Sequence, residues 1–185
     1  MGALAYHQAR SALRDEAMAH MRDVARERRA RLESWFEERL GDMDLLAAQV
    51  ERELGGPSPD RQALQEQLDL LLGRQSAYRR CALLSSRGSL LADAGVSGPG
   101  HSLPDLPELH EARKTGGPVL GPVVRDPAGD PVMHLVRPLS VHGERRGALL
   151  AVMRPGRTIH PILSDTTGLG ETGETYLVGA DTLML

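Results

Sequence analysis

Apolar residues recur at helical spacing from the start of the chain to Leu54. They fall at Leu13, Ala17, Met21 and Val24, then at Leu32, Trp35, Phe36 and Leu40, then at Met43, Leu46 and Val50. Steps of three and four put each group on one face of an α-helix. No proline interrupts the stretch, and no glycine falls between Gly2 and Gly41. The pattern predicts one long helix over Ala3–Leu54. At about 1.5 Å per residue it would reach roughly 75 Å, longer than a small domain is wide. Part of it is therefore expected to project as a stalk or to pair with another helix. Around Arg22–Arg31 the stripe thins to Val24 and Ala25. There Arg26, Arg28, Arg29 and Arg31 are followed or interleaved by Glu27, Glu33, Glu37 and Glu38. That mixture reads as a solvated helix face with i,i+4 pairs rather than as a patch for an anionic surface.

Gly55-Gly56-Pro57-Ser58-Pro59 ends the first helix, and Asp60 is placed to cap a second over Arg61–Leu72, with Leu64, Leu68 and Leu71 facing the first. From Arg79 the pattern changes to short apolar runs separated by turn residues. Cys81–Ser85 and Ser89–Leu91 read as strand, turn, strand. Val96–Pro107 is a Gly- and Pro-rich loop, and Glu108–Lys114 makes one or two helical turns. Three further strands follow at Val119–Arg125, Val132–Leu139 and Arg146–Met153, joined by turns at Asp126–Asp130 and His142–Glu144. The fold expected is α+β: a long N-terminal helix plus a PAS-like antiparallel five-stranded sheet with flanking helices, the helices on one side. Beyond the sheet, Thr158–Ser164 reads as a short helix or coil, and Glu174–Val178 with Thr182–Leu185 as a hairpin.

Gly168, Gly170 and Gly173 spell G-x-G-x-x-G. A dinucleotide loop needs these glycines after a strand and at the start of a helix. Here the order is reversed, so they read as a helix-to-strand turn.

Composition narrows the chemistry. The net charge of −3 gives no footprint for nucleic acid. With 41% hydrophobic but 3% aromatic residues, the core must be built from Leu, Val, Ala and Met. Cys81 is the single cysteine, so an intramolecular disulfide or cysteine metal cluster is impossible. No apolar run approaches the roughly 18 residues of a membrane span. None of the seven histidines forms H-x-x-x-H or H-E-x-x-H, so no metal site is expected. Ser85, Ser86 and Ser89 lack a G-x-S-x-G context, and Asp126 with Asp130 reads as hairpin chemistry. No catalytic residue and no cofactor is expected.

Strand Val132–Leu139 carries one ionisable residue on each face. Alternation puts His134 with Val132 and Val136, and Arg137 with Met133, Leu135 and Leu139. A buried arginine needs a partner. Arg137 either bridges to a carboxylate such as Asp130 or Glu144, or grips an anionic ligand bidentately.

The stretch "GPVVRDPAGDPVMHLVRPLSVHGERRGALLAVM" is similar to the central hairpins of Cache sensor domains, the PAS-like extracytoplasmic modules of bacterial chemoreceptors and sensor histidine kinases. "YHQARSALRDEAMAHMRDVARERRARLESWF" resembles the helix that leaves the first membrane span in such receptors. "GLGETGETYLVGADTLML" resembles the entry into the second module of a double Cache domain. The resemblance covers the chain from about Tyr6 and implies a non-enzymatic, periplasmic signal-sensing domain of an inner-membrane receptor. A ligand-free dimerisation module is the alternative. It implies residues 1–75 as stalk and packing helices, 76–157 as the membrane-distal module, and 158–185 as the linker and first hairpin of an incomplete membrane-proximal module. It further implies a homodimer through the N-terminal helix, no nucleic acid, and contact with a membrane only through flanking spans. The amino-acid-binding members use a motif of Tyr, Arg, Trp, Tyr and Asp that is not found here, since Trp35 lies in the first helix. Thr182 stands where members carry a glycine. The ligand expected is a small organic carboxylate, bound by Arg137 with Arg125, Tyr78 and His134 as companions.

Overall fold

The computed structural model describes residues 2–95, 106–169 and 173–178. The elements run α1 (Gly2–Leu54), α2 (Arg61–Arg74), β1 (Tyr78–Ser85), β2 (Leu90–Gly95), α3 (Pro107–Thr115), β3 (Val119–Arg125), β4 (Pro131–Val141), β5 (Glu144–Met153) and α4 (Pro155–Ser164). The chain divides into two compact units, residues 1–36 with 159–185, and residues 37–158; α1 belongs in part to each.

The larger unit is built on an antiparallel sheet of strand order β2-β1-β5-β4-β3. Alternation sorts its residues between two faces. Ala82 and Leu84 of β1, Val136 of β4, and Ala148 and Leu150 of β5 pack with Leu106, and with Leu109 and Ala112 of α3. Cys81, Leu83, Leu135, Leu139, Leu149 and Met153 take the other face and are fully buried. Met43, Leu46, Ala47 and Val50 form the buried stripe of α1 in this unit. The Nε of Arg137 on β4 binds Asp44 Oδ1 of α1 at 2.6 Å, which ties α1 to that second face. The helices thus lie on both faces of the sheet. The expectation of one side fails because α3 is amphipathic over only nine residues, too short for its face to be assigned from sequence.

Local chemistry explains the boundaries. Asp60 caps α2 by accepting from Gln62 N at 2.8 Å. The β3–β4 turn closes on Asp126, whose Oδ1 accepts from Ala128 N at 2.9 Å and Asp130 N at 2.8 Å. His142 and Gly143 both take positive φ, 53° and 80°, as a two-residue hairpin turn requires. The free edge of β2 is covered by α2: the Gln65 amide donates to Asp93 O at 2.8 Å and accepts from Asp93 N at 3.2 Å.

In the smaller unit, Arg28 is 4% exposed. Its guanidinium donates to the carbonyls of Leu163 at 3.4 Å and Thr167 at 3.3 Å, and also to Asp165 O and Thr175 Oγ1. His20 Nε2 lies 2.6 Å from Gly168 O. Gly168, with φ 79°, forms a turn between helix and coil, and among the described residues no helix follows it as a nucleotide loop would demand. The segment Glu174–Val178 is not a strand; only Val178 makes an isolated bridge. Gly170, most of the Val96–Pro107 loop and the Thr182–Leu185 strand lie outside the described residues. Among the described residues, no helix is long and apolar enough to cross a membrane.

Candidate functional site

The four residues singled out in the sequence are not brought together. Arg137 sits on the α1 face, 27% exposed at its side chain and ion-paired with Asp44. It finds a carboxylate partner, but on α1, a helix 93 positions away in sequence, rather than in the adjacent turns. Tyr78 also belongs to the α1 side. Its hydroxyl donates to Asp42 Oδ2 at 3.1 Å, Arg39 stacks 5.7 Å from its ring centroid, and burial, foremost, pushes its ionisation upward. Arg125 is exposed and donates to Gly129 O at 2.8 Å across the turn. His134 alone lies on the α3 face.

Around His134 that face carries an unusual density of polar groups. On β1, Arg80 has the parity of Ala82 and Leu84, and it stands opposite Val152 in the register just as His134 does. Arg80 is 6% exposed. It is gripped bidentately by Asp93 of β2, at 2.8 Å from Nε and 2.7 Å from Nη2, the fork geometry that suits a guanidinium to a carboxylate. From α3, Glu108 reaches into the same face and is also 6% exposed. Its Oε1 lies 4.0 Å from His134 Nδ1, beyond hydrogen-bond length. Its Oε2 is buried and has no hydrogen-bond partner.

Gly121 explains how the carboxylate fits. The β3–β4 register slips between Leu120 and Val123, and Glu108 lies over Gly121 so closely that any Cβ there would overlap its carboxyl group. Val119 and Val152 are half-buried beside the packed Val136, giving an apolar margin to this polar centre.

Burial is the first cause that holds His134 below the usual imidazole range, and Glu108 opposes it. The folded state therefore resists protonating this ring. As pH falls below about 6.5 the unfolded chain takes up the proton first. His134 should thus contribute stability above that pH and lose the contribution on acidification. Thermal melts between pH 8 and pH 5 should show a steeper decline for the native chain than for His134→Gln. Cys81 offers no competing chemistry: burial pushes its thiol up to about 12, far from a reactive thiolate. Among the described residues no cluster of three metal-ligating side chains occurs.

Neither Glu108 nor the Arg80–Asp93 pair was singled out in the sequence. Asp93 lies in a strand read as ending at Leu91, and Glu108 opens a helix of unassigned face. The Gly121-Pro122 pair inside a strand was the available signal, since glycine there marks a bulge or a close approach.

The fold is that of Cache-type sensor domains of chemoreceptors, as the hairpin resemblance implied. The ligand-binding domain of the Pseudomonas fluorescens chemoreceptor CtaA, in complex with L-isoleucine, superposes with a TM-score of 0.74 at 16% identity, covering 95% of this chain and 70% of that one. The ligand-binding domain of the Pseudomonas aeruginosa amino acid chemoreceptor PctB with L-Gln gives 0.72 at 20% identity, covering 88% and 65%. That of the P. aeruginosa amino acid chemoreceptor PctC with GABA gives 0.67 at 18% identity, covering 83% and 67%. The chain thus spans about two thirds of the length of these structures. No protein-family model matches the sequence, and no curated protein is similar to it.

Proposed function

We propose that this chain is the ligand-sensing part of an extracytoplasmic domain of a bacterial membrane receptor, a chemoreceptor or sensor kinase, and that it carries out no chemistry itself. The observation that carries the reading is the polar centre on the α3 face, Glu108 beside His134, with the Arg80–Asp93 pair on the same face across Val152, in a fold whose solved examples hold small molecules. Buried polar groups without full satisfaction are costly. They are tolerated where a ligand completes them.

The same geometry supplies a route for the signal. Binding energy can shift a conformational equilibrium only as far as the ligand prefers one state. His134 and Val136 face α3, while Arg137, the next residue along β4, is bonded to α1. Ser140 N, further along the strand, donates to Glu51 Oε1 of α1 at 2.7 Å. A displacement of β4 under a ligand would therefore pull on α1. In this reading Arg137 is a coupling residue rather than a ligand anchor.

A thermal-shift screen of amino acids, carboxylates and amines tests the proposal. A compound at 100 times its dissociation constant should stabilise the native state by about 2.7 kcal/mol, or several degrees. The response should vanish in His134→Ala and persist in Arg137→Ala. A panel that shifts nothing would overturn the sensing reading in favour of a dimerisation module. That second reading has one observation of its own. Leu45 on α1 and Leu70 on α2 are 65% and 57% exposed and line the same groove with Leu46 and Leu71.

A further inference from the structure

We propose that the α3 face takes its ligand through a positively charged nitrogen, an organic ammonium group held by Glu108, and not through a carboxylate. The inference rests on the ligand-sensing reading above and specifies the ligand's charge.

The charges on the face decide the sign. A carboxylate removed from water without a partner is among the costliest groups a fold can hold. Glu108 is 6% exposed, and its Oε2 has no hydrogen bond. Its place in the first turn of α3 sets it near the positive end of the helix, which offsets part of the cost but supplies no donor to that oxygen. The neighbouring imidazole is 4.0 Å from the other oxygen and is biased toward its neutral form by burial. Arg80 shares the face, but both arms of its fork are taken by Asp93. Arg137 is held on the opposite face by Asp44, and Arg125, at the end of β3, donates to Gly129 O in the β3–β4 turn. Among the described residues the face therefore presents Glu108 as its uncompensated charge. An incoming carboxylate would meet repulsion there, and a cation would meet the missing partner.

Shape agrees with charge. The carboxyl group is seated over Gly121, where no side chain competes, so its position is set before a ligand arrives and little ordering is lost on binding. An ammonium has three donors. One can go to Glu108 Oε2 and another to an acceptor nitrogen of His134. Val119 and Val152, only partly buried, offer an apolar margin for a carbon skeleton attached to the nitrogen.

The test uses matched probes on the full chain: n-butylammonium chloride, 1,4-diaminobutane, sodium butyrate and n-butanol, at constant ionic strength. Ligand-observed NMR on the unmodified protein should show saturation transfer to the ammonium compounds and none to butyrate. In calorimetric titration, Glu108→Gln, which keeps the side chain's size and removes its charge, should weaken ammonium binding at least tenfold. Its melting temperature without ligand should equal or exceed the native value, because an unpaired buried charge is gone. Transfer to butyrate but not to the ammonium probes, or equal ammonium affinity in Glu108→Gln, would overturn the charge assignment while leaving the domain a sensor. Absence of transfer to any probe would overturn the charge assignment too, and a further absence of response across the broad screen would remove the sensing reading with it. The NMR comparison stands even if the variant does not fold.

Discussion

Asp93→Ala is expected to destabilise the larger unit by about 3–5 kcal/mol, the cost of leaving one member of a buried ion pair alone. Arg80 cannot escape to water: it is 6% exposed and is fixed between Val152 on one side and the β2 edge on the other. The substitution removes both acceptors of its fork, at 2.8 and 2.7 Å, and the guanidinium stays buried. Urea denaturation at neutral pH would measure the loss. The double variant Arg80→Met with Asp93→Leu should recover most of it, because apolar groups of similar volume carry no desolvation penalty. A loss below about 1 kcal/mol in Asp93→Ala would place the pair with exposed ion pairs instead.

Gly147→Ala should cost about 3 kcal/mol, at the upper end for forcing extra volume into a packed interior. Gly147 stands on β5 in register with Ser85 and Leu139 on the strands to either side. A Cβ at this position would overlap the carbonyl oxygen of Leu84. That neighbour is backbone in the middle of the sheet, so it cannot swing away as a flexible side-chain tip would. Gly41 supplies the internal control. It sits within α1, where an added Cβ meets nothing within 4 Å. Gly41→Ala should therefore stabilise the helix by about 0.5–1 kcal/mol. Opposite signs at the two sites in chemical denaturation would confirm the close approach; two small changes of the same sign would refute it.

Most of the architecture was legible because it rests on local periodicity. The α1 stripe, the Asp60 cap and the β3, β4 and β5 alternations each appear as spacing in the chain. β3 was read with its observed limits, Val119–Arg125. The β2 strand was read short because Ala92-Asp93-Ala94 has neither β-branched residues nor aromatics. It becomes a strand through pairing with β1 and through the Gln65 amide, both of them tertiary effects. The candidate site was legible only in His134. Alternation separated His134 from Arg137 correctly, but which face received α3 depended on a nine-residue helix, whose face the sequence alone does not settle. Arg137 drew attention as the arginine in an apolar strand. Its partner, Asp44, is 93 positions away, and no local pattern announces such a pair. Glu108 carried no signal as an acid in a helix's first turn, the commonest place for one.

The two rims of the sheet have a consequence for crowding. An open strand edge invites another chain to add to it, and repeated addition leads to fibres. At β2 the Gln65 amide already occupies the N–H and C=O of Asp93. At the far rim, β3 contains Pro122 within a register slip, and proline has no N–H to offer a newcomer. Each border is thus interrupted as a template for a sixth strand. Copies concentrated side by side can therefore meet repeatedly with little tendency to knit into a continuous ribbon.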